Sequence, residues 1–261
     1  MDKNTLINLD MDLISNATTR MPVCLCIDVS DSMAYVIDDS DVIETGETGI
    51  DDEGNSFVCV KGGITKLAKV IEGLNTFKKQ LMNDLIVRSS AEICIVAFSD
   101  EAVCLTEFCS VDKFEVPFFE TGGKTDMGAG VNLALDKLEE RKNLYKEVGI
   151  DYYQPMLVIF SDGGANGDKA VFNAASRRAC DMVNNMKLTS LPIAICRKND
   201  NEEIDYAYES LKCFSPKNKP KRLDAIKFTD FFEWLSKSVS IRSRSQPEDR
   251  VTAPPTDEWE L

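Results

Sequence analysis

The stretch Cys24-Leu25-Cys26-Ile27-Asp28-Val29-Ser30-Asp31-Ser32-Met33 runs an apolar segment straight into a cluster of oxygen donors. Its first half shows no clean alternation of polar and apolar residues, which predicts a strand buried on both faces of a mainly parallel sheet. At the end of that strand stand one carboxylate, Asp28, and two hydroxyls, Ser30 and Ser32. Hard oxygen donors so closely spaced suit a small divalent cation such as magnesium or manganese, which takes about six oxygens at roughly 2.0–2.1 Å. The chain contains no histidine. Zinc sites built on imidazole, and Ser-His or Cys-His nucleophilic catalysis, are excluded with it.

Outward from this stretch, apolar segments alternate between strand and helix character from residue 22 to residue 238 without a linker, as one α/β domain requires. Apolar residues at 64, 67, 70, 71, 74, 77 and 81 give the period of an amphipathic helix over 64–83. Strands are predicted over 92–98, 156–160 and 191–196, with 102–105 returning as an antiparallel edge strand. Helices are predicted over 127–148 and 168–187, and a closing helix over 229–239 takes Thr229 as its N-cap. The expected architecture is a doubly wound, mainly parallel Rossmann-like sheet with helices on both faces. Residues 1–20 read as an N-terminal extension, 21–239 as the domain, and 240–261 as a flexible tail rich in Ser, Pro and charge.

Residues 34–63 interrupt the pattern as an insertion. Between Asp38 and Val60 it carries eight acids and no base. Val42-Ile43 and Phe57-Val58-Cys59-Val60 flank a glycine-bearing middle, a hairpin signal. Such a hairpin is either a solvated surface feature or a recognition element, since it leaves the chain beside the oxygen-bearing loop. A net charge of −14 opposes nucleic acid and anionic membrane as partners, because both reward clustered Lys and Arg. No apolar run is long enough to span a bilayer, and the N-terminus lacks a signal-peptide pattern. Nine cysteines without a Cys-x-x-Cys pair point to free thiols and a reducing, cytoplasmic setting.

Two further loops carry matching chemistry: Gly122-Gly123-Lys124-Thr125-Asp126 ahead of a helix, and Ser161-Asp162-Gly163 after the strand at 156–160. With Asp28-x-Ser30-x-Ser32 they resemble the metal-ion-dependent adhesion site of von Willebrand factor A domains over roughly residues 22–237. The resemblance implies that Asp28, Ser30, Ser32, Thr125 and Asp162 hold one Mg2+ or Mn2+ ion. It further implies protein binding, with a partner carboxylate completing the metal shell and no bond broken. Asp31 stands where the family generally has Gly, and Asp126 follows Thr125, so either carboxylate could add a water-mediated ligand. Asp28 and Asp162 brought together without a cation should repel, raising the pKa of one of them.

Within that family the chain is most similar to the bacterial tellurium-resistance type, on Met21 to Asp28 and on Phe231 to Val239. That likeness implies the company of a Ser/Thr kinase and a metal-dependent phosphatase in stress-response or phage-defence loci. It makes Ser236, Ser238, Ser240, Ser243 and Ser245 candidate phosphoacceptors. The alternative from another class is a metal-assisted, phosphatase-like hydrolase acting at the same site. A phosphate-binding loop fails at Phe118, where the pattern before Gly123 requires glycine, and a haloacid-dehalogenase motif fails at Ser30, where a second Asp is needed.

Overall fold

The computed structural model describes residues 18–50, 54, 56–196, 201–224 and 227–245. Along them run strands β1 (Met21–Asp28), β2 (Val36–Asp38), β3 (Ile43–Ile50), β4 (Ser56–Lys61), β5 (Ile64–Thr65), β6 (Ala91–Phe98), β7 (Ala102–Ser110), β8 (Met156–Ser161), β9 (Thr189–Ile195) and β10 (Lys221–Leu223). The helices are α1 (Lys66–Asn83), α2 (Leu85–Ser90), α3 (Met127–Val148), α4 (Lys169–Asn184), α5 (Asn201–Lys212) and α6 (Phe228–Ser243). Six strands form one sheet in the order β10-β9-β8-β1-β6-β7. All neighbours are parallel except β7, which runs antiparallel to β6 at the edge. This is the doubly wound sheet with one antiparallel edge strand that the sequence predicts.

Burial explains why the central strands lack alternation. Every residue of β1, β6 and β8 is buried. Val23, Leu25 and Ile27 of β1 pack on one face with residues of α1, α2 and α6, while Cys24 and Cys26 pack on the other with residues of α3, α4 and α5. Each apolar side chain so buried contributes about 1.5–3 kcal/mol, so both faces must stay apolar. From β1 the chain turns to β6 on one side, and after β7 it crosses to β8 on the other. The strand order therefore reverses between β1 and β8, which opens a crevice at their C-terminal ends.

The boundaries differ from expectation in instructive places. Helix α1 begins at Lys66, because Ile64 and Thr65 pair with β2 and the Thr65 hydroxyl caps the helix by accepting from the Ala68 N–H at 3.1 Å. The hairpin of the insertion forms as predicted from β3 and β4. Strand β7 reaches Ser110. Helix α6 starts at Phe228 with Lys227 in the cap position, so Thr229 is not the cap. The same helix continues to Ser243, which takes residues 240–243 out of the expected tail.

That continuation also corrects the reading of Ser236, Ser238 and Ser243 as phosphoacceptors, since all three are buried. Ser236 and Ser238 are buried and donate to the carbonyls of Phe232 and Trp234 at 2.8 and 2.9 Å. Ser240 donates to Asp84 Oδ2 at 2.7 Å, and the Tyr153 hydroxyl donates to the Ser243 carbonyl at 3.0 Å. The tail beyond 245 and the extension before 18 lie outside the described residues. Helices α2 and α5 and strand β10 were not expected. The first and last are short, while α5 is as amphipathic as α1 and its period was legible in the sequence.

At the opposite, N-terminal edge of the sheet a buried charge cluster ties strands to helices. Glu92 accepts from Arg141 Nε at 2.6 Å and Nη2 at 2.7 Å, and also from the Tyr145 hydroxyl. Arg20 completes the cluster with its Nη1 3.7 Å from Glu92 Oε1. Removing one partner of a buried pair strands the other charge, at a cost of about 3–5 kcal/mol. Arg141→Ala is therefore expected to lower the unfolding free energy by that amount in urea titrations, and a loss under about 1 kcal/mol would contradict the assignment.

Candidate functional site

Three loops meet at the crevice between β1 and β8, and backbone hydrogen bonds lace them together. The Gly122 N–H donates to the Val29 carbonyl at 2.9 Å, and the Asp31 N–H donates to the Gly123 carbonyl at 3.1 Å. The second and third loops exchange bonds through Asn166: its N–H donates to the Thr125 carbonyl at 3.1 Å, and its side-chain oxygen accepts from the Thr125 N–H at 2.7 Å. Gly123 sits at φ 77°, and a Cβ there would fall 2.3 Å from Asp100 Oδ2. Only glycine allows that loop both the left-handed backbone and the close approach.

Within this frame the five residues read from the sequence come together. Asp28 Oδ1 accepts from the Ser30 N–H at 2.9 Å, while Oδ2 accepts from the Ser161 hydroxyl at 2.5 Å. The Ser30 and Ser32 hydroxyls lie 3.3 Å apart, and Ser32 Oγ donates to Asp162 Oδ1 at 2.8 Å. A Cβ placed on Gly163 would stand 3.7 Å from Thr125 Oγ1 and 3.9 Å from Ser32 Oγ, which brings the third loop's neighbour into the same space. Asp28, Ser30, Thr125 and Asp162 are buried. Two carboxylates and three hydroxyls form a set of hard oxygens that fits a magnesium or manganese ion. Among the described residues, no group of three or more His, Cys, Asp or Glu side chains that could hold a metal ion gathers anywhere, and this site itself brings two such side chains, Asp28 and Asp162.

One more side chain enters the cluster. The Lys66 ammonium donates to Asp162 Oδ2 at 2.6 Å, with both side chains almost fully buried. Sequence reasoning missed it, because a lysine at the start of an amphipathic helix looks like ordinary solvated charge. The signal was its position: a cation in the first turn runs against the helix dipole. Ser161, beside Asp162 in the sequence, has a part of its own that the sequence does not show, its hydroxyl donating to Asp28. Asp126 takes a different role from the one considered for it. Its carboxylate caps α3 by accepting from the Ala129 N–H at 2.9 Å.

The insertion builds the wall beside the first loop. Asp31, Tyr35, Val36, Val42, Phe57 and Val58 are among the residues lining a cavity of about 860 Å³ between the hairpin and this loop. On the far side, the exposed Tyr206 of α5 packs close to Gly164, two residues after Asp162. Apolar and aromatic surface thus flanks the oxygen cluster on two sides.

No protein-family model matches the chain, and no curated protein matches it. Among solved structures it is similar to the vWF domain of the type V pili tip protein Mfa5 from Porphyromonas gingivalis, with 13% identity and a TM-score of 0.55 over 90% of this chain and 99% of that one. It is also similar to the PilB minor pilin from Streptococcus sanguinis, with 12% identity and a TM-score of 0.56 over 87% of this chain. For the pilus adhesin SpaC from Lactobacillus rhamnosus GG the identity is 11% and the TM-score 0.56 over 86% of this chain. The chain spans 62% of the pilin's length and 31% of the adhesin's. The fold is that of von Willebrand factor A domains, and at such identities the likeness bears on the fold alone. No described helix is long and apolar enough to cross a membrane.

Burial, and after it the charge of Asp162, push the Asp28 carboxyl up to about 7, against the hydrogen bonds from Ser161 and Ser30. The repulsion expected between the two carboxylates is present, with desolvation the larger cause. Between the ordinary value of 3.8 and about 7 the folded chain keeps a proton that the unfolded chain has lost. Stability from this group is therefore full below that window and is lost as pH rises through it. In chelator-treated protein, the melting temperature of wild type minus that of Asp28→Asn is expected to fall from about pH 4 to about pH 7. A difference that stays flat across the window would refute the placement of Asp28.

Proposed function

We propose that the chain is a protein-binding module that engages an acidic group of a partner through a magnesium or manganese ion. Asp28, Ser30, Ser32, Thr125 and Asp162 would hold the ion. The observation that carries this reading is the convergence of those five oxygen-bearing side chains from three loops at the C-terminal edge of the sheet. Three of the five donors are neutral hydroxyls, so a bound ion would keep enough positive charge to attract a carboxylate. When bound, the ion supplies a Lewis-acidic position open to that carboxylate. The chain's own groups hold the loops in register and keep both acids out of bulk water, and we assign them no bond-breaking step.

The surroundings suit recognition of a protein surface. Tyr206, 73% exposed, stands beside the third loop, and the lined cavity opens beside the first. Exposed aromatic and apolar side chains around a charged centre are the usual anchors of an interface. All nine cysteines are free, and burial raises the thiols of Cys24 and Cys26, so they act as packing groups and suit a reducing, cytoplasmic setting. From the likeness of its sequence to the tellurium-resistance type, we place the module in a bacterial stress-response or defence system with a Ser/Thr kinase and a metal-dependent phosphatase as partners.

Added Mg2+ or Mn2+ is expected to raise the melting temperature of chelator-stripped wild type, more so as its concentration grows. Asp28→Ala and Thr125→Ala should each abolish most of that rise. Wild type and both variants responding alike would show that the five residues only cap helices and close turns. Turnover of a generic phosphate ester that depends on Asp28 would overturn the non-enzymatic reading.

A further inference from the structure

Lys66 is the first residue of α1, and its side chain is only 2% exposed. Its ammonium lies 2.6 Å from Asp162 Oδ2, while the other oxygen of the same carboxylate accepts from Ser32 at 2.8 Å. Two general effects oppose this placement. The first turn of a helix disfavours a cation, and burial strips an ammonium of its hydration. The attraction of buried Asp162 is what offsets both. The lysine is also held at its backbone, where its N–H donates to the Tyr35 carbonyl at 3.0 Å, and the ammonium lies 5.8 Å from the centre of the Tyr35 ring.

We propose that Lys66 is an internal counter-cation of the site, and that a divalent ion binds by exchange, displacing its ammonium from Asp162. The proposal rests on reading the five oxygens as a cation site. A divalent ion bound through Asp162 would stand within a few ångströms of the ammonium, in surroundings too dry to screen their repulsion. Asp162 therefore serves the lysine or the metal, and the lysine lowers the affinity of the site by competing with the ion from within the chain. Displacement has a route outward. Lys66 adjoins β5, which pairs with β2, and Tyr35 packs against Phe57 of the hairpin with ring centres 6.1 Å apart. Loading the site would thus loosen the contact between the first loop and the acidic insertion.

Calorimetry with Mg2+ on chelator-stripped full-length protein tests the exchange, comparing wild type with Lys66→Met and Lys66→Gln. Both variants are expected to bind Mg2+ at least ten-fold more tightly than wild type. Without metal they should melt lower, because Asp162 has lost its counter-charge, and saturating Mg2+ should raise their melting temperature more than it raises that of wild type. A second measurement needs no variant: labelling of Lys66 with an amine-reactive reagent, read by mass spectrometry, should be slow without metal and accelerate with saturating Mg2+. Equal or weaker binding by the variants, or a Lys66 that stays protected in the metal-loaded wild type, overturns the exchange while the cation site stands. Absence of binding in wild type and both variants overturns the exchange and the cation site together.

Discussion

Two buried carboxylates at the C-terminal ends of neighbouring parallel strands need a positive charge between them, and the rest of the site follows from that need. Asp28 closes β1 and Asp162 follows β8, the two strands that meet where the sheet reverses order. A doubly wound sheet creates this juxtaposition whatever its sequence. Hydrogen bonds from Ser161, Ser30 and Ser32 satisfy individual oxygens but bring no charge. Once Asp28 has lost its proton, above about pH 7, compensation of its charge must come from a cation, either the ammonium of Lys66 or a metal ion.

The first connection leads directly into the residue that meets Asp162. Between the loop after β1 and helix α1 the chain spends residues 34–65 on the hairpin and on the β2–β5 pair. That pair delivers Lys66 beside Asp162, with Thr65 as the cap that fixes the start of the helix. The insertion is thus more than a solvated appendage. Its strands lead into Lys66, the cation seated on Asp162, and its side chains line a cavity next to Asp31.

Much of this was legible in the residues themselves. The unbroken apolar character of 24–27 and 156–160 required strands buried on both faces, and the spacing of Asp28, Ser30 and Ser32 after the first of them announced hard-oxygen chemistry. Lys66 was not legible. Nothing in its neighbourhood along the chain points to Asp162, 96 positions away, and the pairing exists only because α1 and β8 meet in space. The end of α6 was misread for a related reason. Ser240, Ser243 and the arginines around them resemble a solvated tail, and Asp84 and Tyr153, brought near by the fold, bond to them in the helix.

The central claim is that one cation binds among the oxygens of the three loops and that Lys66 yields Asp162 to it. A crystal grown in millimolar Mn2+ and measured for anomalous scattering tests this directly. The account predicts one strong peak bounded by Asp28, Ser30, Ser32, Thr125 and Asp162, at metal–oxygen distances of about 2.0–2.3 Å, with the Lys66 ammonium moved away from Asp162. An absent peak with Lys66 still seated on Asp162 would contradict it, and would leave the lysine as the permanent counter-charge of a site that binds no metal.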